Sequence, residues 1–419
     1  MRSDGPHDQA DPAGGRLPTL LSAGLFCALL ASYYLIRPLR DELAVQAGVG
    51  QLPWTFTATF LTMLAAVPIY GWLLGRWPTR RVLPGVYLFF AASLLAFAAA
   101  LDAPGLAPLA GPAFFVWASV FNLFVVSVFW SLMADLHDEV TARRHFGRIA
   151  AGGSLGAIAG PILALALTRA LGNGALLPAA AGLLVVAAGL VVLLRQRAGP
   201  ARGGREILGG HPLNGLRALG SNRYLAGIGL WLLLYSSLST LLYFAQTDIV
   251  GRAIADRAAR TELFATMDLA VNTLTLTGQV LLTGRLMSRV GSGLVLALLP
   301  LVSLLGFGAL GLWPTLAVIV AVQILRRSTN FALSRPARET LFTVVSPEDR
   351  FKAKGAIDTV VYRGGDALSG WLHGALSAIG LGLASISALA IPLAGVWLWL
   401  SISLGRAQRR LADTQEAPP

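Results

Sequence analysis

Gly71-Trp72-Leu73-Leu74-Gly75-Arg76 closes one long apolar run of this chain, and Gly284-Arg285-Leu286-Met287-Ser288-Arg289 closes another 213 positions later. Each reads Gly-x-Leu and then sets an Arg where an apolar stretch gives way to a polar loop. Gly allows two helices to approach closely, and Arg anchors a loop at an anionic membrane surface. Gly71 with Arg76 and Gly284 with Arg289 are therefore read as equivalent loop positions in two related halves of a 419-residue chain.

The rest of the chain fits that division. Hydrophobic residues make up 55% of it and charged residues 13%. A single soluble core has no room for so much apolar surface, whereas lipid removes the difficulty. Apolar runs of spanning length occur at Leu17–Ile36, Leu43–Gly75, Val82–Leu101, Ala103–Ala134, Ile149–Thr168 and Ala170–Leu194. After a Gly- and Pro-containing polar stretch they resume at Tyr224–Thr247 and Leu263–Gly284. Val290–Leu325 is too long for one span and is expected to fold back near Gly311 and Pro314, the tenth span then running on to about Val345. The eleventh is expected to start near Ala356, and the run Ala367–Gly405 to turn near Gly380–Gly382. The expected fold is an all-α integral membrane protein of twelve transmembrane helices in two six-helix halves. Its segments are a disordered N-terminal tail (1–16), a first half (17–195), a cytoplasmic linker (196–223), a second half (224–405) and a C-terminal tail (406–419).

The net charge of +12 does not indicate nucleic acid, because the basic residues lie in short loops between apolar runs. With the N-terminus inside, the inner loops hold Arg76, Arg80, Arg81, Arg143, Arg144, Arg148, Arg285 and Arg289, whereas the outer loops hold Arg169, Arg252, Arg257 and Arg260. The positive-inside rule then places both termini in the cytoplasm, in a multi-pass protein of the inner membrane. The first apolar run has full span length and is followed directly by charge, so it reads as a span and not as a cleaved leader. Cys27 is alone, and His7, His137, His145, His211 and His373 are scattered, so no disulfide framework, metal set or catalytic triad is spelled out.

Charges inside apolar runs mark the candidate site, because Arg or Asp at a helix centre costs roughly 2.5–3.5 kcal/mol on the insertion scale. The first cluster is Tyr33-Tyr34-Leu35-Ile36-Arg37-Pro38-Leu39-Arg40-Asp41-Glu42. Arg37 and Asp41 stand at i, i+4 and could close on each other at a helix end; the other reading has Tyr34, Arg37 and Arg40 facing a cavity. In the tenth helix, Arg327, Phe331, Ser334 and Arg338 fall within about 60° of one another, and Arg335 stands four residues before Glu339. In the eleventh, Asp358, Tyr362, Arg363 and Asp366 offer an Arg363–Asp366 pair or a substrate contact. Asp268, with Asn272 one turn on, reads as a protonatable coupling group or as an interfacial acid near an outer helix end. Asp135, followed by His137-Asp138-Glu139, sits at the inner end of the fourth helix.

Two six-helix halves in parallel repeat resemble the major facilitator superfamily, and the two Gly/Arg loops resemble its signature between helices two and three. That pattern usually carries an acid before the Arg, where this chain has Gly75 and Ser288. A narrower resemblance is to the ATP:ADP antiporters of plastids and intracellular bacteria. It rests on Leu35-Ile36-Arg37-Pro38-Leu39-Arg40-Asp41, on Phe129-Trp130 with Ala134-Asp135, on Arg335-Pro336-Ala337-Arg338-Glu339, and on Lys354-Gly355-Ala356-Ile357-Asp358 with Val360 and Arg363. The resemblance implies Arg40, Asp135 and Arg338 as counterparts of that family's functional residues. It offers no acid for the seventh-helix region, where Ser239-Thr240-Leu241-Leu242-Tyr243 stands.

The expected function is secondary transport of a small, phosphate-bearing anion of nucleotide type by alternating access, without a cofactor. Arg37, Arg40, Arg327, Arg338, Arg363 and Tyr34 are the expected substrate contacts, since Arg matches phosphate and carboxylate geometry. Asp135, Asp268, Asp358, Glu339 and Asp366 are the candidates for coupling, a proton being the expected ion, or for gating. The alternatives are a proton-coupled exporter of an unrelated metabolite or drug and an intramembrane lipid-acting enzyme. Reporter fusions at Asn173 and Gly380 are expected to read periplasmic, and fusions at Arg205 and Arg406 cytoplasmic; reversed readings defeat the topology.

Overall fold

A computed structural model describes residues 16–76, 79–136, 139–197, 222–346 and 353–416. The expected N-terminal tail, the linker and the 137–138 loop lie largely outside them. The first six helices are α1 (Arg16–Ala47), α2 (Leu52–Arg76), α3 (Thr79–Asp102), α4 (Ala107–Leu136), α5 (Glu139–Leu171) and α6 (Leu176–Arg197). Then come α7 (Arg223–Ala253) and α8 (Arg257–Gly278), which continues through a π turn at Gln279–Thr283. The helix Gly284–Leu312 breaks at Gly291 (φ 80°, ψ 163°), a conformation open to Gly because it lacks a Cβ. The residues before that break complete α8, and 292–312 form α9. Helix α10 runs Leu316–Thr329, a π turn Asn330–Ser334 and Arg335–Leu341. Helix α11 starts at 353, passes a π turn at Ile357–Val361 and ends with Tyr362–Ala378; α12 is Leu383–Glu416.

Ten helical stretches among the described residues are long and apolar enough to cross a membrane. One of them, Arg257–Leu312, is divided at Gly291, and α11 lies between α2 and α7, which completes twelve elements. Large apolar side chains such as Leu109, Val280, Ile379 and Trp399 remain exposed on the outside of the bundle, as lipid requires.

Some of the helices, α1 and α8 among them, extend past the apolar runs that announce them. Helix α1 continues through Arg37, Pro38, Arg40 and Asp41 to Ala47, with Pro38 inside it. Helix α8 begins at Arg257 and not at Leu263, which places Asp268 three turns inside the protein and corrects its reading as an interfacial acid. Charges cluster where these extensions meet, because they are satisfied by one another and not by lipid.

Two large apolar cores form among the described residues, with two small clusters between the helix sets. One is drawn from Leu25 to Leu194 with Ala265, the other from Leu225 to Leu404. Within the first, α5 lies against α1 along Gly152, Gly156 and Gly160, which face Ala23, Cys27 and Ala31. A Cβ at these glycines would stand 2.2 Å from the Ala23 and Cys27 carbonyl oxygens and 2.7 Å from that of Ala31. The four-residue spacing on both helices is a small-residue seam, and it permits backbone approach where lipid supplies no hydrophobic drive for association. By contrast, a Cβ on Gly71 or Gly284 meets nothing within 4 Å, so these two glycines are not close-approach positions.

The two sets of helices touch where α5 lies along α8 and α2 along α11. The start of α1 and the end of α12 lie on one face of the bundle, since an even number of spans separates them. On the opposite face the sets are latched. Arg257 donates to both carboxylate oxygens of Glu42 at 3.1 and 3.3 Å, and Arg169 reaches Glu262 at 2.8 Å. The Trp54 and Trp371 rings meet edge to face at 4.7 Å, and the Trp371 indole N–H donates to Thr57.

Gly156→Leu is expected to force α5 off α1, since overpacking a tight seam costs about 1–3 kcal/mol or more. Thermal unfolding and the yield of monodisperse protein in detergent should both fall. Gly189→Ala, on α6 with nothing within 4 Å of a Cβ, should leave them unchanged.

Candidate functional site

A cavity of about 580 Å³ opens between α1 and α5 on one side and α8, α10 and α11 on the other. Its mouth lies toward the termini, at the last turns of α10 and the first turns of α11. Arg335, Arg338, Glu339 and Asp358 line it there. Arg338 is 3.7 Å from Asp358 and 3.8 Å from Glu339, while Lys354 forms an ion pair with Glu339. The expected Arg335–Glu339 pair does not form: Arg335 lies over the Phe331 ring at 5.7 Å instead.

Deeper, the walls turn aromatic and amide-bearing, with Phe26, Tyr34, Phe331, Asn272 and Gln279. The Asn272 amide N–H₂ donates to the Ala157 carbonyl at 2.6 Å, and that of Gln279 to the Phe331 carbonyl at 3.2 Å. Each of the three π turns contributes one lining residue: Gln279 from α8, Phe331 from α10 and Asp358 from α11. A π turn inserts one residue into a helix and re-aims the side chains around it, which is why such turns recur at functional sites. Those of α8 and α10 are joined by Thr283, whose hydroxyl donates to the Ala332 carbonyl at 2.8 Å.

Beyond the amides the charges converge. Asp268 is 1% exposed, and its Oδ1 is 3.2 Å from Arg37 and accepts a hydrogen bond from Arg327. Three helices from both sets thus meet at one carboxylate. Arg326, 6% exposed, donates to the Ser239 hydroxyl at 2.6 Å and lies 5.9 Å from the Tyr235 ring; no carboxylate among the described residues pairs with it.

One turn past Arg37, Arg40 pairs with Asp41 at 2.6 Å, lies over the Phe115 ring and shares that carboxylate with the Tyr243 hydroxyl, which donates to it at 3.0 Å. The i, i+4 pairing of Arg37 with Asp41 is therefore corrected. Helix continuity carries Arg37 toward α8, and Asp41 is taken by its chain neighbour.

A further cluster ties α7 to α11. Asp366 accepts from Ser236 at 2.8 Å and Thr240 at 3.0 Å, and Arg363 stands 3.4 Å away at i, i+3. Arg363 and Asp366 do not line the cavity. Asp135 occupies the last turn of α4, half-buried and away from the cavity lining. Arg76 is exposed at the end of α2 with its guanidinium over Trp72, and Arg289 is exposed as well.

Of the expected contacts, Tyr34, Arg338, Glu339 and Asp358 line the cavity, whereas Arg37, Arg327 and Asp268 gather one turn beyond its deep lining and Arg40 lies farther still. Residues outside the expected substrate contacts and coupling candidates complete the picture: Arg326, Asn272, the Glu42–Arg257 latch and a polar stripe on α7. That stripe, Ser236, Ser239, Thr240 and Tyr243, has the i, i+3, i+4, i+7 period of one helix face. It faces Asp366, Arg326 and Asp41.

This arrangement also has relatives. A bacterial homolog of the human lysosomal transporter Spinster, solved in an inward-facing and unoccupied conformation, is similar at a TM-score of 0.60, with 14% identity over 99% of this chain and 100% of that one. The nucleoside transporter NupG is similar at 0.61, with 16% identity over 93% and 97%. An auto-inhibited peptide transporter of the POT family is similar at 0.65, with 13% identity over 94% and 96%. No curated protein sequence matches the chain. At such identities the likeness speaks for the fold alone. The family model described as Major Facilitator Superfamily matches residues 19–369, most of the chain, on a helical bundle whose cavity lies between two sets of six helices. The chain belongs to the major facilitator superfamily and is a multi-pass membrane transporter, not an enzyme.

Proposed function

We propose that the protein moves a small, phosphate-bearing anion of nucleotide type by alternating access across an inner membrane, with both termini cytoplasmic and the cavity open to the cytoplasm. The observation that carries this reading is a charge imbalance at the deep end of the cavity. Arg37 and Arg327 share one carboxylate there, Asp268, and Arg326, beside Arg327 on α10, meets a hydroxyl and no carboxylate among the described residues. Uncompensated guanidinium groups in a low-dielectric interior are costly, and an anionic substrate removes the cost. The planar fork of Arg suits phosphate oxygens in particular.

The size and walls agree. Small-molecule sites commonly enclose about 300–1,000 Å³, and this cavity holds about 580 Å³. Phe26, Tyr34 and Phe331 offer flat apolar faces for a ring, and Asn272 and Gln279 keep their carbonyl oxygens free to accept from its polar groups. The nucleoside transporter among the structural relatives is in keeping with such a solute. Arg338 would receive the phosphate at the mouth. Arg40, one turn beyond Arg37, would line the same path when the opposite face opens and the Glu42–Arg257 latch parts. The coupling group, if a proton is exchanged, belongs among Asp268, Asp358, Glu339, Asp366 and Asp135.

Proteoliposomes loaded with nucleotides, inorganic phosphate or unrelated cationic drugs test the reading directly: labelled nucleotide uptake should be driven by internal nucleotide. Each charge-assisted hydrogen bond contributes roughly 1.5–3 kcal/mol. Arg338→Ala should therefore weaken half-saturation about tenfold to a hundredfold, with Arg338→Lys recovering only part. Folded yield that drops while the remaining protein keeps its affinity would assign Arg338 to structure instead. Uptake of the drugs in place of every phosphate compound would overturn the anion reading.

A further inference from the structure

The cavity ends on a site that is already filled by the protein itself. Arg37, Asp268 and Arg327 each lie one helical turn beyond a side chain that lines it. Tyr34 precedes Arg37 by three residues, Asn272 follows Asp268 by four, and Phe331 follows Arg327 by four. At 3.6 residues per turn, the three charged groups share the helix faces of those lining residues and close the cavity's deep end.

Their hydrogen bonding is incomplete. Both guanidiniums converge on Asp268 Oδ1, while Oδ2, Arg37 Nε and Arg327 Nε are all buried without a partner. Two buried guanidiniums present a double fork that asks for several oxygens in different directions, and one carboxylate supplies one in use. A phosphate group carries at least three oxygens and can take both forks at once. With side chains only 14% and 12% exposed, the two arginines are costly to leave without an anion between them.

We propose that Asp268 is a tethered competitor for the substrate's phosphate: it occupies the anion site formed by Arg37 and Arg327 when the carrier is empty and is displaced when substrate binds. The proposal rests on the anionic reading above and adds which residues form the innermost site and what holds it when no substrate is there. Two consequences follow from the geometry. The apparent affinity of the site is its intrinsic affinity scaled by the fraction of time Asp268 leaves it free, which keeps binding weak enough for release. The pairing also joins α1 of the first helix set to α8 and α10 of the second. A phosphate bridging Arg37 and Arg327 would thus replace one tie between the sets by another that can leave.

Equilibrium binding of labelled pyrophosphate and of adenosine diphosphate to the full chain in detergent decides the matter. Asp268→Asn keeps the shape and removes the competing charge, so it should bind both at least tenfold more tightly than the parent. Arg327→Gln leaves Asp268 paired with Arg37 alone, so it should bind both at least tenfold more weakly. Asp268→Asn that binds no tighter overturns the competitor role, as does Arg327→Gln that binds like the parent. Should Asp268→Asn not fold, as judged by gel filtration and thermal unfolding, Arg327→Gln and Arg37→Gln carry the test, and parent-like binding by either overturns the assignment. A parent protein that binds neither phosphate compound, with Asp268→Asn equally inert, overturns the anionic reading itself. Binding by the parent without gain in Asp268→Asn overturns only the competitor.

Discussion

Two guanidinium groups facing one carboxylate inside a membrane-spanning bundle is the constraint around which this structure is arranged. Neither Arg37 nor Arg327 can be left in hydrocarbon, and Asp268 is the only acid at hydrogen-bond distance from both among the described residues. Meeting that demand brings α1, α8 and α10 to one point. Helix α5 must then pass close beside α1 and α8 without filling the space between them. Gly152, Gly156 and Gly160 meet that requirement, since they let α5 lie against the backbone of α1, and the room thus left is the cavity. The charges place the helices, and the glycines set how near they come.

The two helix sets meet this constraint by different means. In the first, α1 and α5 are held by backbone contact along small residues, with an apolar core behind them. In the second, α7 presents hydroxyls to buried charges: Ser239 to Arg326, and Ser236 and Thr240 to Asp366. Three π turns re-aim α8, α10 and α11. Regular helices would not carry Gln279, Phe331 and Asp358 to one wall, because each insertion shifts the face by about 100° per residue. The first set thus behaves as a smooth surface and the second as the shaped one. All the π turns among the described residues border the cavity, which places the irregular backbone where it lines a cavity and not where it meets lipid, as hydrocarbon demands.

The closed face shows the same economy of partners. Glu42 is fully buried and held by the fork of Arg257, from the loop end of α8. A bidentate pair with one partner half exposed, as Arg257 is, can part and be solvated at modest cost, unlike the largely buried set at Asp268. The latch on this face and the charge cluster at the cavity's end sit on the same two helices, α1 and α8. Movement of one against the other therefore acts on both places.

The sequence by itself determined the membrane class, the count of twelve spans, and the presence of charges that lipid would not accept. Those are local properties: the length of an apolar run and the solvation cost of a side chain are decided within a few turns of one helix. It also carried a spacing that puts Arg327 and Arg338 on one face of a regular helix, but the π turn Asn330–Ser334 lies between them and shifts that register. What it did not carry was partner choice. Arg37 and Asp41 look paired at i, i+4, yet Arg37 goes to Asp268, 231 positions away, and Asp41 to Arg40 and Tyr243. Asp268 looks interfacial if α8 starts where its apolar run does, and becomes central because Arg257 begins the helix. Gly71 and Gly284, conspicuous as a repeat, face open space, whereas Gly152, Gly156 and Gly160 do the close packing. Which pairs form depends on the depth and rotation of each helix relative to its neighbours. These follow from contacts among residues far apart in the chain, so only the tertiary structure decided where the charges meet.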